Sequence, residues 1–202
     1  MSDSFTAPSR GGNYIHGLLA FVERWHTRAE QTLPPSGALI TGEAGNINID
    51  GRPESHESLV MTRWHAEFAE SLEPGVRELV LKLVSAWNCI TYSSCEGHPT
   101  TPASGRRHRH VCILPRSATE YAALLAALTS LARTANADAG SSGARAKVLQ
   151  CIVTGDGLEA PSLDLVFSSR EGDDDDAYFA DLEALYDAVL RALDTGTAYQ
   201  AQ

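Results

Sequence analysis

Tyr14, Leu18, Val22 and Trp25, with Ile15, Leu19 and Ala29, recur every three to four residues, so 13–31 is read as an amphipathic helix. Residues 32–57 break that rhythm with tandem prolines, several glycines and Asn46, Asn48 and Asp50. A long loop is expected there, with a short strand at Ala38–Thr41. Ser58 is placed to cap a further helix whose buried ladder is Val60, Trp64, Phe68 and Leu72, ended by Glu73-Pro74. Pro74 suits the first turn of a new helix, since its missing N–H would be unpaired there anyway. The inward side of that helix is Val76, Leu79, Val80, Leu83, Val84 and Trp87.

The period then shortens. Residues 88–95 and 107–114 read as strands, joined by a glycine- and proline-bearing loop over 96–106. Ser117-Ala-Thr-Glu120 is a capping box, opening a Leu/Ala-rich helix to about Arg133. A small, polar loop follows at 134–144, then strands at 146–154 and 162–169. The run Asp173–Asp176 fits a helix start, where the dipole favours negative charge. That last helix reaches about Leu193, with Phe179, Leu182, Leu185 or Tyr186, and Val189 inward.

Strand–strand–helix thus occurs twice. The expected class is α+β: a largely antiparallel sheet from two similar halves, helices on one side, and an N-terminal helical extension. The expected organisation is a mobile tail at 1–12, the extension with its loop at 13–73, and an α+β core at 74–195.

Composition narrows the class. With 202 residues and 43 % apolar content the chain can build a core without disulfide or metal staples. Its net charge of -10 argues against non-specific coating of nucleic acid, which is driven by cations on the protein. Four cysteines without regular spacing suggest reduced thiols. The first ten residues lack the apolar stretch of a signal peptide, and no run is long enough to span a bilayer. A soluble cytoplasmic protein, not membrane-associated, is expected.

Chemistry concentrates in one place. Asn88 to Arg116 holds three of the four cysteines, three of the seven histidines and four arginines, and Gly97–Thr119 holds no acid. Strand alternation puts His108, His110 and Cys112 on one face, and Cys89, Thr91, Ser93 and Cys95 on one face of the preceding strand. A hairpin would bring Cys95 and His98 near His108 and His110, a donor set acceptable to zinc or iron. H-x-H on a polar strand is also met as two solvated imidazoles, and Cys89 and Cys112 suit a core. A second reading makes Cys95 a nucleophile, with His98 as base and positive neighbours favouring thiolate. A third makes Arg106, Arg107, Arg109 and Arg116 an anion site, aided by N–H groups at Ser117–Thr119. Against it stands pairing of these arginines with the protein's own acids. His65 is expected on an exposed helix surface, and Trp25, Trp64 and Trp87 in the core.

Val76, Leu79, Val80 and Asn88, followed by Ser93-Ser94-Cys95-Glu96-Gly97-His98, resemble the wybutosine-synthesis tRNA methyltransferase family. Its helix has the form V..LV..IN, and its signature is Ser-Ser-Cys-Ser-Gly-Arg. The resemblance spans roughly 75–115, and by element order reaches 154. It implies S-adenosylmethionine as cofactor, with Cys95 and Gly97 shaping its pocket. Glu96 and His98 replace the family's serine and arginine.

The leading expectation is an enzyme acting on an anionic, nucleotide or phosphate-bearing small molecule. Cys95, His98, His108 and His110 would bind metal or share acid–base work, with Glu96 as general base. Ser93, Ser94, Gly97 and the four arginines would contact substrate. The alternatives are an S-adenosylmethionine-dependent methyltransferase and a non-catalytic ligand-sensing module engaging a protein partner through 13–73.

Overall fold

The computed structural model describes residues 13–15, 17–28, 62–66, 68–100, 105–140, 143–169 and 174–195. The expected tail at 1–12, the loop at 32–57 with its short strand, and the Ser58 cap lie outside these residues. Nine elements follow in order: β1 (Asn13–Tyr14), α1 (Leu18–Thr27), α2 (Pro74–Ala86), β2 (Ile90–Cys95), β3 (His110–Leu114), α3 (Ala118–Asp138), β4 (Arg145–Gly155), β5 (Leu158–Ser168) and α4 (Asp175–Thr195). They form an α+β fold on an open sheet of order β1-β4-β5-β3-β2. Among the described residues β1 pairs with β4 in parallel, and the β4–β5, β5–β3 and β3–β2 pairs are antiparallel. Among the described residues no helix is long and apolar enough to cross a membrane.

The core follows from the alternation. Leu163, Leu165 and Phe167 share a face of β5, and the Phe167 ring lies 6.1 Å from Tyr186 of α4. Val111 and Ile113 of β3 pair with Leu165 and Leu163, and Ala146 and Val148 of β4 with Phe167 and Leu165, so all point the same way. Against them lie Leu79 and Leu83 of α2, Leu124 and Leu128 of α3, and Leu182 and Leu185 of α4, each fully buried. α2 begins at Pro74 and buries Val76, Leu79, Val80, Leu83 and Val84. It has no side-chain cap from its own N-cap residue, Glu73. At about 1.5–3 kcal/mol per buried aliphatic side chain, that ladder outweighs a missing cap of about 1 kcal/mol.

In α3, Ser117 Oγ accepts from Glu120 N at 3.1 Å, one half of the expected capping box. The other half is redirected: Glu120 accepts from the Arg116 N–H and guanidinium. α3 then continues to Asp138, one and a half turns past the expected end.

Four local features depart from the pattern. First, 13–31 is not one helix: Asn13–Tyr14 pairs with Val153–Thr154, and α1 starts at Leu18. Its cap is remote, as Asp156 accepts from Gly17 N at 3.1 Å and Leu19 N at 3.4 Å. Second, 62–66 and 68–72 form turns, closed by Thr62–His65, His65–Phe68 and Ala69–Leu72 backbone bonds, not a helix. Phe68 meets Trp25 edge-on at 6.3 Å and Trp64 Nε1 donates to Trp25 O at 3.0 Å, so this segment joins the same core. Third, β4 and β5 run longer than expected, linked by a two-residue turn, Asp156 (φ 53°) and Gly157 (φ 73°), as the Asp-Gly pair favours. Pro161 is tolerated within β5 because β3 pairs only with Leu163–Val166. Fourth, β2 carries a bulge: Thr91 lies opposite Ile113 and Ser93 opposite Cys112. Thr91 and Ser93 therefore fall on different faces, contrary to simple alternation.

The close approach of α1 to β4 is set by Gly155. A Cβ there would lie 2.2 Å from Ile15 O and 2.7 Å from Leu18 Cβ. Gly155→Ala is expected to lower unfolding free energy by roughly 2–3 kcal/mol in urea denaturation. Gly157→Ala, which meets open space but keeps a positive φ, should lose only about 1 kcal/mol.

Candidate functional site

β2 ends at Cys95 and the chain turns back through Glu96 and Gly97. Gly97 has φ 91°, and a Cβ would sit 3.1 Å from Arg109 N and 3.3 Å from Arg107 O. Glycine alone meets both conditions without strain. The turn is locked by a two-bond bridge: His98 N donates to Arg107 O at 2.9 Å, and Arg107 N to His98 O at 3.0 Å.

The first turn of α2 lies against this corner. Glu73 Oε2 accepts from Glu96 N at 2.6 Å, and Glu73 Oε1 meets His98 Nε2 at 3.0 Å. Glu96 reciprocates, its Oε2 accepting from Gly75 N at 2.8 Å. Cys95 Sγ accepts from Gly97 N at 3.4 Å. One donor atom each from Glu73, Cys95 and His98 lies within 4.8 Å of the others. Cys95 is buried, and the Glu73 and His98 side chains are 14 % and 13 % exposed. A carboxylate, a thiol and an imidazole thus converge from a helix start, a strand end and a loop.

The sequence expectation included Cys95 and His98 but not Glu73. Glu73 lies 22 residues upstream of Cys95 and reads locally as a helix boundary. The only local signal was an acid immediately before a Pro-initiated helix. His108 and His110 do not join the cluster. His110 pairs with Cys95 across the strands, but its Nδ1 meets His108 O at 2.9 Å. The His108 ring packs 5.3 Å from Tyr178. Glu96, expected as a general base, uses a carboxylate oxygen to cap α2. Ser93 is exposed opposite Cys112, and Ser94 is half-buried opposite Val111.

The arginines are drawn into the fold. Arg106 Nε donates to Asp175 Oδ1 at 2.6 Å, and Nη1 to Ser169 Oγ at 2.9 Å. Arg109 is buried: Nη2 donates to Glu183 Oε1 at 2.7 Å and Nε to Glu96 O at 2.8 Å, with its guanidinium 4.5 Å from the Tyr186 ring centre. Arg116 holds Glu120 and Asn88 O. Arg107 is half-buried and supplies the backbone bridge. Three of the four arginines therefore hold the protein's own carboxylates.

Cys89 belongs to the core, and burial pushes its thiol up to about 12, which removes it as a nucleophile. His65, expected to be exposed, is 7 % exposed. Burial also pushes the Tyr178 hydroxyl up to about 12; it donates to Phe167 O at 2.8 Å and accepts from Arg109 N at 3.3 Å. It is thereby a structural link under the loop.

No protein-family model, curated protein or solved structure gave a significant match to this chain. The site is therefore read from its own chemistry.

Asp175 is held below the usual carboxylate range, chiefly by Arg106 and then by the Thr100 N–H. A group depressed in the folded state adds stability above its unfolded value and loses it as pH falls through the folded one. Asp175→Asn should therefore flatten the acid limb of stability against pH below about pH 4, read by urea midpoints. Near neutrality the variant should be less stable than the parent, and the gap should close as pH falls through that range.

Proposed function

We propose that this chain is a metal-dependent enzyme whose centre is formed by Glu73, Cys95 and His98. The observation that carries this reading is the convergence of three unlike donor atoms within 4.8 Å of one another. Two further features support it. Glu96 N donates to Glu73 and Gly97 N to Cys95 Sγ, bonds that hold the carboxylate and the sulfur in place toward one another. The set mixes nitrogen, oxygen and sulfur donors, which suits zinc or ferrous iron better than magnesium or calcium. Three protein donors leave room for water or substrate, as in catalytic rather than structural zinc sites.

Bound metal would supply Lewis acidity and an acidified water. The chain's residues would do the rest. Glu73 and Cys95 offer negative charge to balance the ion. Glu96 fixes α2 through Gly75 N, and the bridge from His98 to Arg107 holds the imidazole in place. A small anionic substrate remains the proposed class, because an ion with an open position would itself accept an anion. Such an anion would compete with Asp175, Glu183 and Glu120 for Arg106, Arg109 and Arg116.

A second reading is favoured by the 3.0 Å contact between His98 and Glu73 beside Cys95. It is the arrangement of a thiol nucleophile, a base and a group that orients the base.

Metal analysis of untagged protein separates the two. The metal reading expects about one zinc or iron per chain, with affinity reduced more than 10-fold by Glu73→Gln, Cys95→Ser or His98→Ala. His108→Ala and His110→Ala should leave it unchanged. Metal-free protein whose Cys95 is alkylated rapidly, at a rate dependent on His98, would replace the metal centre with the nucleophile.

A further inference from the structure

The loop that carries His98 is fastened at both stems to one residue of a different element. Thr100, two residues after His98, donates through its N–H to Asp175 Oδ2 at 2.7 Å and through Oγ1 to Asp175 Oδ1 at 3.2 Å. Arg106, one residue before Arg107, donates through Nε to Asp175 Oδ1 at 2.6 Å. The two stems are also joined by the bridge between His98 and Arg107. Asp175 thus closes a ring of contacts behind the residue that presents its imidazole to Glu73.

Asp175 is itself firmly placed. It lies in the first turn of α4, where Asp174 Oδ1 accepts from Ala177 N at 2.8 Å. Beneath it, the Arg106 guanidinium lies 4.9 Å from the ring centre of Tyr178, which is fully buried. Arg106 Nη1 adds a bond to Ser169 Oγ at 2.9 Å, just past the end of β5. The position of the stems is therefore referred to α4 and β5 as well as to the hairpin that bears them. Cys95 is the last residue of β2, and Glu73 is the N-cap residue of α2. His98, by contrast, lies three residues past the strand end, so it has most to lose from movement of the stems.

We propose that Asp175 is the positioning residue of this centre, fixing the 98–107 stems through Thr100 and Arg106 so that the His98 imidazole is held beside Glu73 and Cys95. This rests on the metal reading given above. Removing the carboxylate releases both stems at once, although no donor is altered. Conformations in which His98 faces away then compete with the binding-competent one, and apparent affinity falls by the fraction that remains competent.

The test uses full-length protein and two readouts. Cobalt(II) and zinc affinities are measured by chelator competition for the parent, Asp175→Asn, Asp175→Ala and a control, Arg191→Ala. Arg191 pairs with Asp138 at 2.6 Å near the other end of α4. The expected result is a loss of roughly 10–100-fold for Asp175→Ala, a smaller loss for Asp175→Asn and none for the control. The thiolate-to-cobalt absorption band should persist at saturation, since Cys95 is untouched. In metal-free protein, amide exchange at His98 and Arg107 should accelerate at least roughly 10-fold in Asp175→Ala while β4 and β5 stay protected. If Asp175→Ala does not fold, Asp175→Asn carries both measurements.

Unchanged affinity in a parent that binds through Glu73, Cys95 and His98 would overturn the positioning role and leave the metal reading standing. A parent that binds neither ion would overturn the metal reading and this role with it. The exchange result would then report only whether Asp175 clamps the loop.

Discussion

Two glutamates exchange backbone partners across the site. Glu73, at the start of α2, accepts from the N–H of Glu96, and Glu96, at the end of β2, accepts from the N–H of Gly75. This is the reciprocal logic of a capping box, but its members are 23 residues apart and belong to different elements. It satisfies an orphan donor at the helix start and one at the strand end. It also fixes the height of α2 along β2, and with that the distance from Glu73 to Cys95 and His98. Placing two carboxylates side by side costs electrostatic energy. The His98 imidazole and the helix N-terminus offset part of it. A bound cation would offset much more.

The charge balance of the chain explains why the arginines are engaged. With 26 acidic residues against 16 basic ones, a cation within reach of the surface finds a carboxylate readily. For Arg109 there is a stronger cause. Its side chain is 4 % exposed, and a charge so desolvated must be paired and hydrogen-bonded to persist. Glu183, the Glu96 carbonyl and the Tyr186 face meet most of that need, while the buried Nη1 has no hydrogen-bond partner among the described residues. The run without acids along the chain is thus compensated by acids from α4, which supplies both Asp175 and Glu183. Local charge density in a sequence says little about local potential when the partner comes from more than 60 residues away.

What could be read from the sequence was whatever depends on neighbours in the chain. Pro74 and the ladder behind it locate α2; Ser117 and Glu120 locate α3; alternation in 162–168 gives β5 and its inward Leu163, Leu165 and Phe167. The α+β class follows from that order. Properties fixed by distant partners were out of reach. Asn13–Tyr14 is a strand only because β4 offers an edge to it. α1 starts at Leu18 because Asp156 caps it from across the fold. The bulge at Tyr92 reverses the faces of Thr91 and Ser93, which upsets the simple alternation on which a Cys–His hairpin cluster was expected. Tyr92 is turned so that its hydroxyl donates to Ser162 Oγ at 3.2 Å, a pairing no local pattern announces.

The same distinction separates the three donors. Cys95 and His98 are three residues apart, and a turn with glycine between them brings them together by local geometry alone. Glu73 enters only when α2 docks on the sheet through Val76, Leu79, Val80 and Leu83. The thiol–imidazole pair is therefore local, whereas the complete donor set is a tertiary property. In the unfolded chain the Cys95–His98 pair stays close through local spacing, whereas Glu73 joins it only in the folded protein. Metal binding through all three donors would then favour docking of α2, because a ligand that binds the native state more tightly than the unfolded one must stabilise it. The carboxylate that the sequence hides best is the one that would join the chemistry of the centre to the packing of the core.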